Sequence, residues 1–314
     1  MSTPGGPSSV GAVIVTFNRL DKLQVVLDRV VHQTTPAGWI VLVDNASTDG
    51  TAEYLASDPF PGRLHVISLP ENTGGSGGFS TGMARALELG AEYVWLMDDD
   101  CYPELDALEQ LVGGYERAVE VASSEITFAC SLVKFRDGSA AEMNIPWPAW
   151  NWGELVAKGE NLVTIRTCSF VSALYPRSTI ERLGLPFSEY FIWFDDAAYA
   201  LLASRIGPGV QVLDSVVSHD MAENKAVNFT QVDDANVWKF AYGARNEASF
   251  RLHHEGLFPF VKFFLRTLLE MRRGGVGRRL RFRIMRRMLA GIRFNPKPGA
   301  VPDRPRSVEA GHQV

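Results

Sequence analysis

Three consecutive aspartates, Asp98, Asp99 and Asp100, come directly after the apolar run YVWLM. Neighbouring carboxylates repel one another, so a chain that places three together needs a compensating cation. Alternate side chains of an extended chain share a face, which puts Asp98 and Asp100 on one side and Asp99 on the other. Oxygen ligands of this kind suit Mg²⁺ or Mn²⁺, so the stretch predicts a divalent metal site. The alternative is that one aspartate only caps the helix expected from about residue 104.

A second acidic pair, Asp195 and Asp196, follows the aromatic run YFIWF and begins an amphipathic helix. The pair has two equally supported interpretations, as helix caps or as a carboxylate of raised basicity that serves as a general base. His219 follows the strand-like segment GVQVLDSVVS. A single histidine is more often structural, but Mn²⁺ accepts imidazole, so His219 is a conditional third metal ligand.

A glycine-rich segment, residues 72–78, lies between a predicted strand and a helix predicted over residues 79–89. Glycines let the backbone approach a ligand, and the following helix can offer amide groups to a phosphate. The segment contains neither G-x-x-x-x-G-K-[ST] nor G-x-G-x-x-G, which argues against a P-loop NTPase and a dinucleotide oxidoreductase. A plain flexible loop is the alternative interpretation.

Four apolar strands are predicted near residues 10–17, 39–43, 64–69 and 93–97, with helices between them. This alternation predicts an α/β sheet with right-handed crossovers. Polar residues follow each strand, among them Thr16, Asn18, Asp44 and Asn72. Because ligands of such sheets bind at the carboxyl ends of the strands, the pattern predicts a nucleotide site there.

Five motifs in this order resemble the family 2 glycosyltransferases: VIVTFNR (13–19), VDNASTDGT (43–51), ENTGGSGG (71–78), MDDD (97–100) and FIWFDDAAYALLASRIG (191–207). The resemblance implies the GT-A fold, a mixed α/β sheet with helices on both faces. It places the catalytic domain at residues 10–228, followed by helices over 229–294. Within the family, the chain is most similar to the actinobacterial galactofuranosyltransferases that initiate cell-wall galactan. The similarity lies in GGSGGF, in the three aspartates and in WFDD with a downstream histidine.

The resemblance also implies roles for individual residues of this chain. Asp98, Asp100 and His219 would hold the divalent metal, either Mn²⁺ or Mg²⁺. Asp196 would be the general base, and Asp195 would position it or hold an acceptor hydroxyl. The remaining implied contacts are with the UDP-sugar donor, through its uracil and ribose (Thr16, Asn18, Asp44) and its diphosphate and sugar (Asn72, Gly75, Gly77, Asp98, Asp99).

The implied reaction is an inverting, metal-dependent transfer of galactofuranose from UDP-galactofuranose. Its acceptor would be a polyprenyl-diphosphate-linked rhamnosyl-GlcNAc glycan. One alternative keeps the fold and uses dTDP-rhamnose as the donor. Another, of a different class, is an inactive scaffold that binds sugar nucleotides. The intact acids at 98, 100 and 196 count against the scaffold.

The C-terminal part is basic, whereas the chain of 314 residues carries a net charge of −5. Residues 262–293 hold eleven Lys and Arg side chains and one acid, Glu270. In residues 278–289, arginines alternate with apolar side chains, as in a helix that lies on an anionic membrane. The alternative is a helix that packs on the catalytic domain; nucleic acid is disfavoured as a partner by the acidic body and the absence of a nucleic-acid module.

The remaining expectations concern location and the chain ends. Residues 1–9 lack a basic and an apolar region, so no signal peptide is predicted, and three scattered cysteines suit a reducing cytosol. We therefore expect a cytoplasmic protein, peripheral on the inner face of the plasma membrane. Residues 1–9 and 295–314 are expected to be disordered tails. The sequence predicts no oligomeric state.

Overall fold

The computed structural model describes residues 9–304, so most of the two tail segments lies outside the described residues. The strands are β1 (Val10–Thr16), β2 (Trp39–Asp44), β3 (Leu64–Ser68), β4 (Tyr93–Asp98), β5 (Cys101–Pro103), β6 (Ala129–Lys134), β7 (Leu162–Ile165), β8 (Ala173–Pro176) and β9 (Gly209–His219). The α-helices are α1 (Leu20–Val31), α2 (Thr51–Ala56), α3 (Gly74–Glu88), α4 (Ala107–Val121), α5 (Glu154–Ala157), α6 (Arg177–Leu183), α7 (Asp195–Ala203), α8 (Val237–Phe250), α9 (Leu257–Arg273) and α10 (Arg278–Ala290).

The strands form one mixed sheet in the order β3-β2-β1-β4-β8-β6-β9-β5, with β7 also paired to β9. The first four strands of this order run parallel, and β8 is antiparallel to β4. In the parallel part, Thr16 pairs with Asp44, and Val15 pairs with Asp98. The carboxyl ends of β1, β2 and β4 therefore meet at one edge of the sheet, as the sequence predicted.

Helices cover both faces of the sheet, and alternate side chains of β1 point into the two cores that result. Ala12 and Ile14 point to a core that includes Leu23 and Leu27 of α1. Val13 and Val15 point to a second core that includes residues of α3. A parallel strand covered on both faces needs apolar residues at every position, which explains the continuous run that begins at Val10.

The structure differs from the sequence-based expectations in three places. The glycine-rich segment is not a loop up to residue 78, because α3 begins at Gly74. The short strands β5 and β8 were not predicted, since three or four residues carry too little periodicity to be recognised. Residues 295–304 were expected to be disordered, but Gly299 exchanges backbone hydrogen bonds with Leu185, and Arg304 lies 3.0 Å from Glu181.

The C-terminal helices α8, α9 and α10 form a third core of their own. It includes Phe240 and Ala244 of α8, Phe263 of α9, and Ile284 and Met288 of α10. Packing on α8 thus explains part of the apolar side of α10, whereas the alternative interpretation of this segment expected it to pack on the catalytic domain. Within residues 9–304 we find no helix whose length and hydropathy would let it cross a bilayer.

The contact between α3 and β1 leaves no room for a side chain at Gly82, where a Cβ would overlap Val13 Cγ1. Gly82→Ala should therefore lower the free energy of unfolding by about 1–3 kcal/mol, measured by urea titration. Gly113→Ala in α4 is the matched control, because its Cβ would meet only the end of the Arg117 side chain, at 3.4 Å. The control should be neutral or stabilising by up to about 1 kcal/mol. Equal effects of the two substitutions would contradict this account of the α3–β1 contact.

Candidate active site

The three aspartates lie where β4 ends and the chain turns into β5. Asp98 is the last residue of β4, whereas Asp99 and Asp100 form the turn that precedes Cys101. Strand alternation therefore stops at Asp98, and the expectation that Asp99 points away from Asp100 is wrong. Both of their side chains are bound by Arg19, whose Nη1 lies 3.1 Å from Asp99 Oδ1 and 2.6 Å from Asp100 Oδ2.

Asp99 joins β4 to the end of β1. Its Oδ2 accepts a hydrogen bond from the Thr16 hydroxyl at 2.9 Å and one from the Phe17 amide at 3.3 Å. The side chain is buried at 5% exposure, and burial raises its pKa, with Arg19 acting in the opposite direction. Asp99 is thus the aspartate that connects the two neighbouring strands.

Asp100 joins β4 to β9 and to α1. Its Oδ1 lies 3.2 Å from His219 Nε2, and Lys22 Nζ lies 3.7 Å from its Oδ2. The register of β5 against β9 produces the first contact, because Cys101 pairs with His219. Burial alone would raise the pKa of Asp100, but His219, Arg19 and Lys22 together lower it below the usual value.

Among residues 9–304, Asp98 forms no ion pair with a basic side chain. Burial, followed by the charge of Asp100, raises its pKa to about 8. Burial thus favours the protonated form of Asp98 in the absence of a metal, whereas basic side chains offset the charges of Asp99 and Asp100.

The predicted metal ligands match a divalent ion in chemistry but are not preassembled. Asp98 and Asp100 supply hard oxygen atoms. The ring of His219 is held between two side chains, because Nδ1 lies 2.8 Å from Asn144 Oδ1 and Nε2 lies 3.2 Å from Asp100 Oδ1. A metal would bind through Nε2 of the neutral ring and would replace the contact of Nε2 with Asp100. Among residues 9–304, however, no group of three or more His, Cys, Asp or Glu side chains is arranged to hold a metal ion.

The predicted nucleotide contacts lie together at the ends of β1 and β2. Asn18 has a positive φ of 53°, and its side-chain oxygen accepts a hydrogen bond from the Thr48 amide at 2.6 Å. Asp44, which is buried, accepts one from the Ser47 amide at 3.0 Å. These contacts hold the β1–α1 and β2–α2 loops in place, and whether the same residues bind a nucleotide stays a prediction.

The start of α3 is fixed by protein contacts. Asn45, directly after β2, accepts a hydrogen bond from the Thr73 amide and donates one to the Gly74 carbonyl, both at 2.8 Å. Asn72 accepts one from the Gly74 amide at 2.8 Å. Gly74 has a φ of 74°, and a Cβ there would overlap the Phe191 carbonyl.

The other two glycines predicted to bind the donor differ in their surroundings. A Cβ on Gly77 would overlap the Thr73 side chain, so local packing already requires a glycine there. On Gly75 the nearest contact of a Cβ would be Phe79 at 3.9 Å, so packing does not require a glycine at that position. Donor binding by Gly75 and Gly77 stays a prediction.

The aromatic segment 190–194 carries the second acidic pair and is bent by unusual backbone angles. Phe191, Trp193 and Phe194 have φ values of 68°, 65° and 70°, which bulky residues adopt only when the surroundings enforce them. The enforcing residue is Asn246 of α8, which is fully buried and donates to the carbonyls of residues 190, 192 and 193 at 2.9, 3.2 and 2.9 Å.

Asp195 and Asp196 begin α7 directly after this bend. Burial, followed by the charge of Asp195, raises the pKa of Asp196 to about 7. Burial also raises the pKa of Asp195, and the nearby Ser76 lowers it in part. The buried Ser76 hydroxyl nevertheless forms no hydrogen bond of good geometry among the described residues. Asp196 is the more exposed acid of the two, so a substrate reaches it more easily.

Both acidic groups belong to the same edge of the sheet. Asp195 lies beside Ser76 in the first turn of α3, which Asn45 ties to the end of β2. Asp99 is tied to the end of β1 through Thr16. Because β1 and β2 are neighbours, the structure brings the predicted metal ligands and the predicted base to the strand ends where a nucleotide is expected.

Sequence reasoning missed three residues that hold these groups in place. Arg19 was quoted only as part of a motif. A basic residue shortly after β1 could have been predicted to pair with the aspartates that follow the neighbouring strand. Asn144 fixes His219 from a distant irregular segment, and nothing in the sequence points to it. Asn246 lies among the C-terminal helices, and the structure buries it as a support of the aromatic bend.

Comparisons with known proteins agree with this architecture. The pattern described as glycosyl transferase family 2 matches residues 12–184. The galactofuranosyltransferase GlfT1 of Mycobacterium tuberculosis is 29% identical over 218 residues, 67% of this chain and 70% of that protein. GlfT1 of Mycolicibacterium smegmatis is 39% identical over 94 residues, only 30% of either chain. The crystal structure of GalNAc-T7 with UDP, GalNAc and Mn²⁺ has a TM-score of 0.55 at 14% identity, covering 83% of this chain and 57% of that one. The fold is GT-A.

Arg19 should stabilise the metal-free protein by offsetting the charge of Asp99 and Asp100. Because Arg19 is 45% exposed, Arg19→Gln should cost only about 1 kcal/mol. If Arg19 supplies the positive charge that a metal ion would otherwise bring to Asp99 and Asp100, Mn²⁺ should reduce this loss, which thermal unfolding with EDTA or with Mn²⁺ would measure. Arg29→Gln is the charge-matched control, since Arg29 lies 3.9 Å from Glu104 on the surface. A loss that is the same with and without Mn²⁺ would contradict this role.

Proposed function

Because the chain belongs to the family 2 glycosyltransferases, we propose that it transfers galactofuranose from UDP-galactofuranose to a polyprenyl-diphosphate-linked rhamnosyl-GlcNAc acceptor, with inversion. The observation that carries the proposal is the location of two acidic groups, Asp98–Asp100 and Asp195–Asp196, at the same edge of the sheet. Such a transfer needs a cation for the leaving diphosphate and a base for the acceptor hydroxyl. The similarity to the two galactofuranosyltransferases GlfT1 supports galactofuranose as the transferred sugar.

The donor is proposed to bind across the ends of β1, β2 and β4. Thr16, Asn18 and Asp44 would contact the uracil and ribose. The diphosphate and sugar would lie between the start of α3, with Asn72, Gly75 and Gly77, and the aspartates at the end of β4. Since Thr16 already donates to Asp99, binding of the ribose near Thr16 would also fix the position of Asp99.

We propose Asp98, Asp100 and His219 as the residues that hold a divalent metal, Mn²⁺ or Mg²⁺. When bound, such an ion neutralises the charge that develops on the departing UDP. The residues of the chain prepare for it: Asn144 orients His219, and Asp98 loses its proton when a cation replaces it. Before a metal binds, Arg19 holds the side chains of Asp99 and Asp100 in place.

Asp196 is proposed to take the proton from the attacking hydroxyl. Its pKa of about 7 suits a base that works at neutral pH, and it is more exposed than Asp195. Asp195, buried beside Ser76, would keep its neighbour in place or hold an acceptor hydroxyl. The bend over residues 190–194 directs both acids, since it is enforced by Asn246 immediately before α7 begins.

The enzyme is proposed to work at the inner face of the plasma membrane. The support for this proposal comes from the exposed apolar side chains of α9, not from the basic pattern of α10. Ile284 and Met288 of α10 are buried. On α9 an unpartnered apolar row lies on one side of the helix, with exposures from 42% to 79% (Leu257, Phe258, Val261, Leu265, Leu269). Exposed basic side chains flank this row (Lys262, Arg266, Arg272, Arg273), as expected for a helix that lies on an anionic lipid surface.

The base assignment and the donor can be tested in one assay. With a synthetic lipid-linked rhamnosyl acceptor and Mn²⁺ or Mg²⁺, UDP-galactofuranose should support transfer, whereas UDP-galactopyranose and dTDP-rhamnose should not. Asp196→Asn should lower kcat by about 10²- to 10⁴-fold, because the amide accepts no proton. Wild-type turnover should rise with pH through about 7, where Asp196 ionises.

Asp106→Asn is the matched control for this assay, since Asp106 is exposed at the start of α4. It should retain wild-type turnover. Full turnover by Asp196→Asn would remove Asp196 as the base. Transfer only from dTDP-rhamnose would replace the donor, and inactivity with all three donors would favour a binding protein.

The α9 surface can be tested with vesicles. Replacing Phe258, Leu265 and Leu269 together by serine should weaken co-sedimentation with phosphatidylglycerol vesicles by at least about tenfold, because each side chain loses apolar burial in the interface. The control replaces Val25 and Val119, which are 42% and 51% exposed on α1 and α4, by serine. Unchanged binding of the α9 variant, or an equal loss in the control, would contradict this surface.

A further inference from the structure

A cavity of about 450 Å³ lies along α10, outside the site described above. Four arginines line it, and one carboxylate, Asp234, lies at its wall. Its complete lining is Asp234, Arg279, Leu280, Phe282, Arg283, Arg286, Arg287 and Ala290. A concave surface of this size whose polar groups are nearly all guanidinium is suited to an anion.

The arginines of the cavity have no protein partner of opposite charge. Within the described residues, none of the four has a carboxylate within 4.0 Å, whereas nearby Arg251 is paired with both Glu247 and Glu255. Arg279, Arg283 and Arg287 also follow one another at four-residue spacing, where like charges destabilise a helix. Repulsion among these arginines destabilises α10. An anion bound in the cavity would offset that repulsion.

Within the described part of the chain, Arg287 also lacks a hydrogen-bond partner for one of its side-chain nitrogens. Its Nε is buried and has no hydrogen-bond acceptor among residues 9–304. Its guanidinium lies 5.6 Å from the ring centroid of Tyr242, and that of Arg245 lies 5.1 Å from the same centroid. Burial, followed by the charge of Arg287, lowers the pKa of Arg245 to about 10. Two guanidinium groups thus share one aromatic ring without a neutralising acid.

This cavity is connected to the proposed active site through aromatic contacts. The ring of Tyr242 stacks on Phe191 at 4.8 Å between centroids. Phe191 lies in the bend that leads to Asp195 and Asp196, and its carbonyl accepts a hydrogen bond from the Ser76 amide. An anion held by Arg287 would therefore lie on the flank of the bend that carries the proposed base.

We propose that the arginine cavity of α10 binds the phosphate groups of an anionic ligand, in the first place a diphosphate. Guanidinium forks bind phosphate oxygens in pairs, and three or four of them can surround a diphosphate. The assignment of this anion to the lipid-linked acceptor rests on the proposed function, whereas the binding of the anion does not. A lipid headgroup presents the same phosphate chemistry and is the other source of a ligand.

The first experiment uses inorganic diphosphate and the full chain in EDTA, so that no metal-dependent donor binding contributes. Wild-type protein should bind diphosphate in calorimetry. The variant Arg279→Gln/Arg283→Gln/Arg286→Gln should bind it at least about tenfold more weakly, because it loses three charge-assisted contacts. The control, Arg63→Gln/Arg278→Gln/Arg293→Gln, removes the same charge from exposed positions that neither line the cavity nor flank the apolar row of α9. Circular dichroism checks that both variants are folded.

The second experiment separates the two sources of phosphate. Vesicles of phosphatidylcholine with and without phosphatidylglycerol are tested with the same three proteins. Binding of free diphosphate that is lost only in the cavity variant supports a diphosphate ligand. Loss of phosphatidylglycerol binding alone, again only in the cavity variant, supports a lipid headgroup.

Two outcomes would overturn the proposal. The first is that the wild-type protein binds neither diphosphate nor phosphatidylglycerol vesicles. The second is that the control variant loses as much affinity as the cavity variant, which would mean a general attraction by basic charge. If the proposed function fails, wild-type protein is inactive with every donor while the diphosphate result stands. The two failures are therefore distinguishable.

Discussion

The balance of charge at the end of β4 is the constraint on which the rest of the site depends. Three carboxylates lie at the end of a largely buried strand, and basic side chains from other elements contact two of them, Asp99 and Asp100. Arg19 comes from the start of α1, and His219 comes from the end of β9. Each contact ties a different part of the sheet to β4, so the same electrostatic requirement that suits a metal site also organises the protein without one.

The second acidic pair depends on a different kind of support. Asp195 and Asp196 follow three bulky residues with positive φ, a conformation that costs about 1–3 kcal/mol for each residue. The buried amide of Asn246 offsets that cost by donating to three carbonyls of the bend. Because Asn246 lies on α8, the C-terminal helices are part of the machinery that positions the acids. The helix proposed to meet the membrane, α9, thus packs on α8, which holds the proposed base in place.

Much of the fold could be predicted from the sequence. The parallel strands were recognised because each is a continuous apolar run, and the polar residues after them identified the functional edge of the sheet. Strands β5 and β8 were missed because they are short, and the glycine-rich segment was assigned to a loop because glycine is a poor helix former. In the structure, the same glycines allow α3 to begin close to Phe191 and to pack on β1.

The sequence by itself determined which groups could do chemistry: the three aspartates, the acid pair, His219 and a basic C-terminal segment. Only the tertiary structure decided their states and partners. It turned Asp99 toward Arg19, raised the pKa of Asp98, and buried one side of α10 while exposing the apolar row of α9. The physical reason is that charge balance and burial are set by residues distant in the chain, which local patterns do not encode.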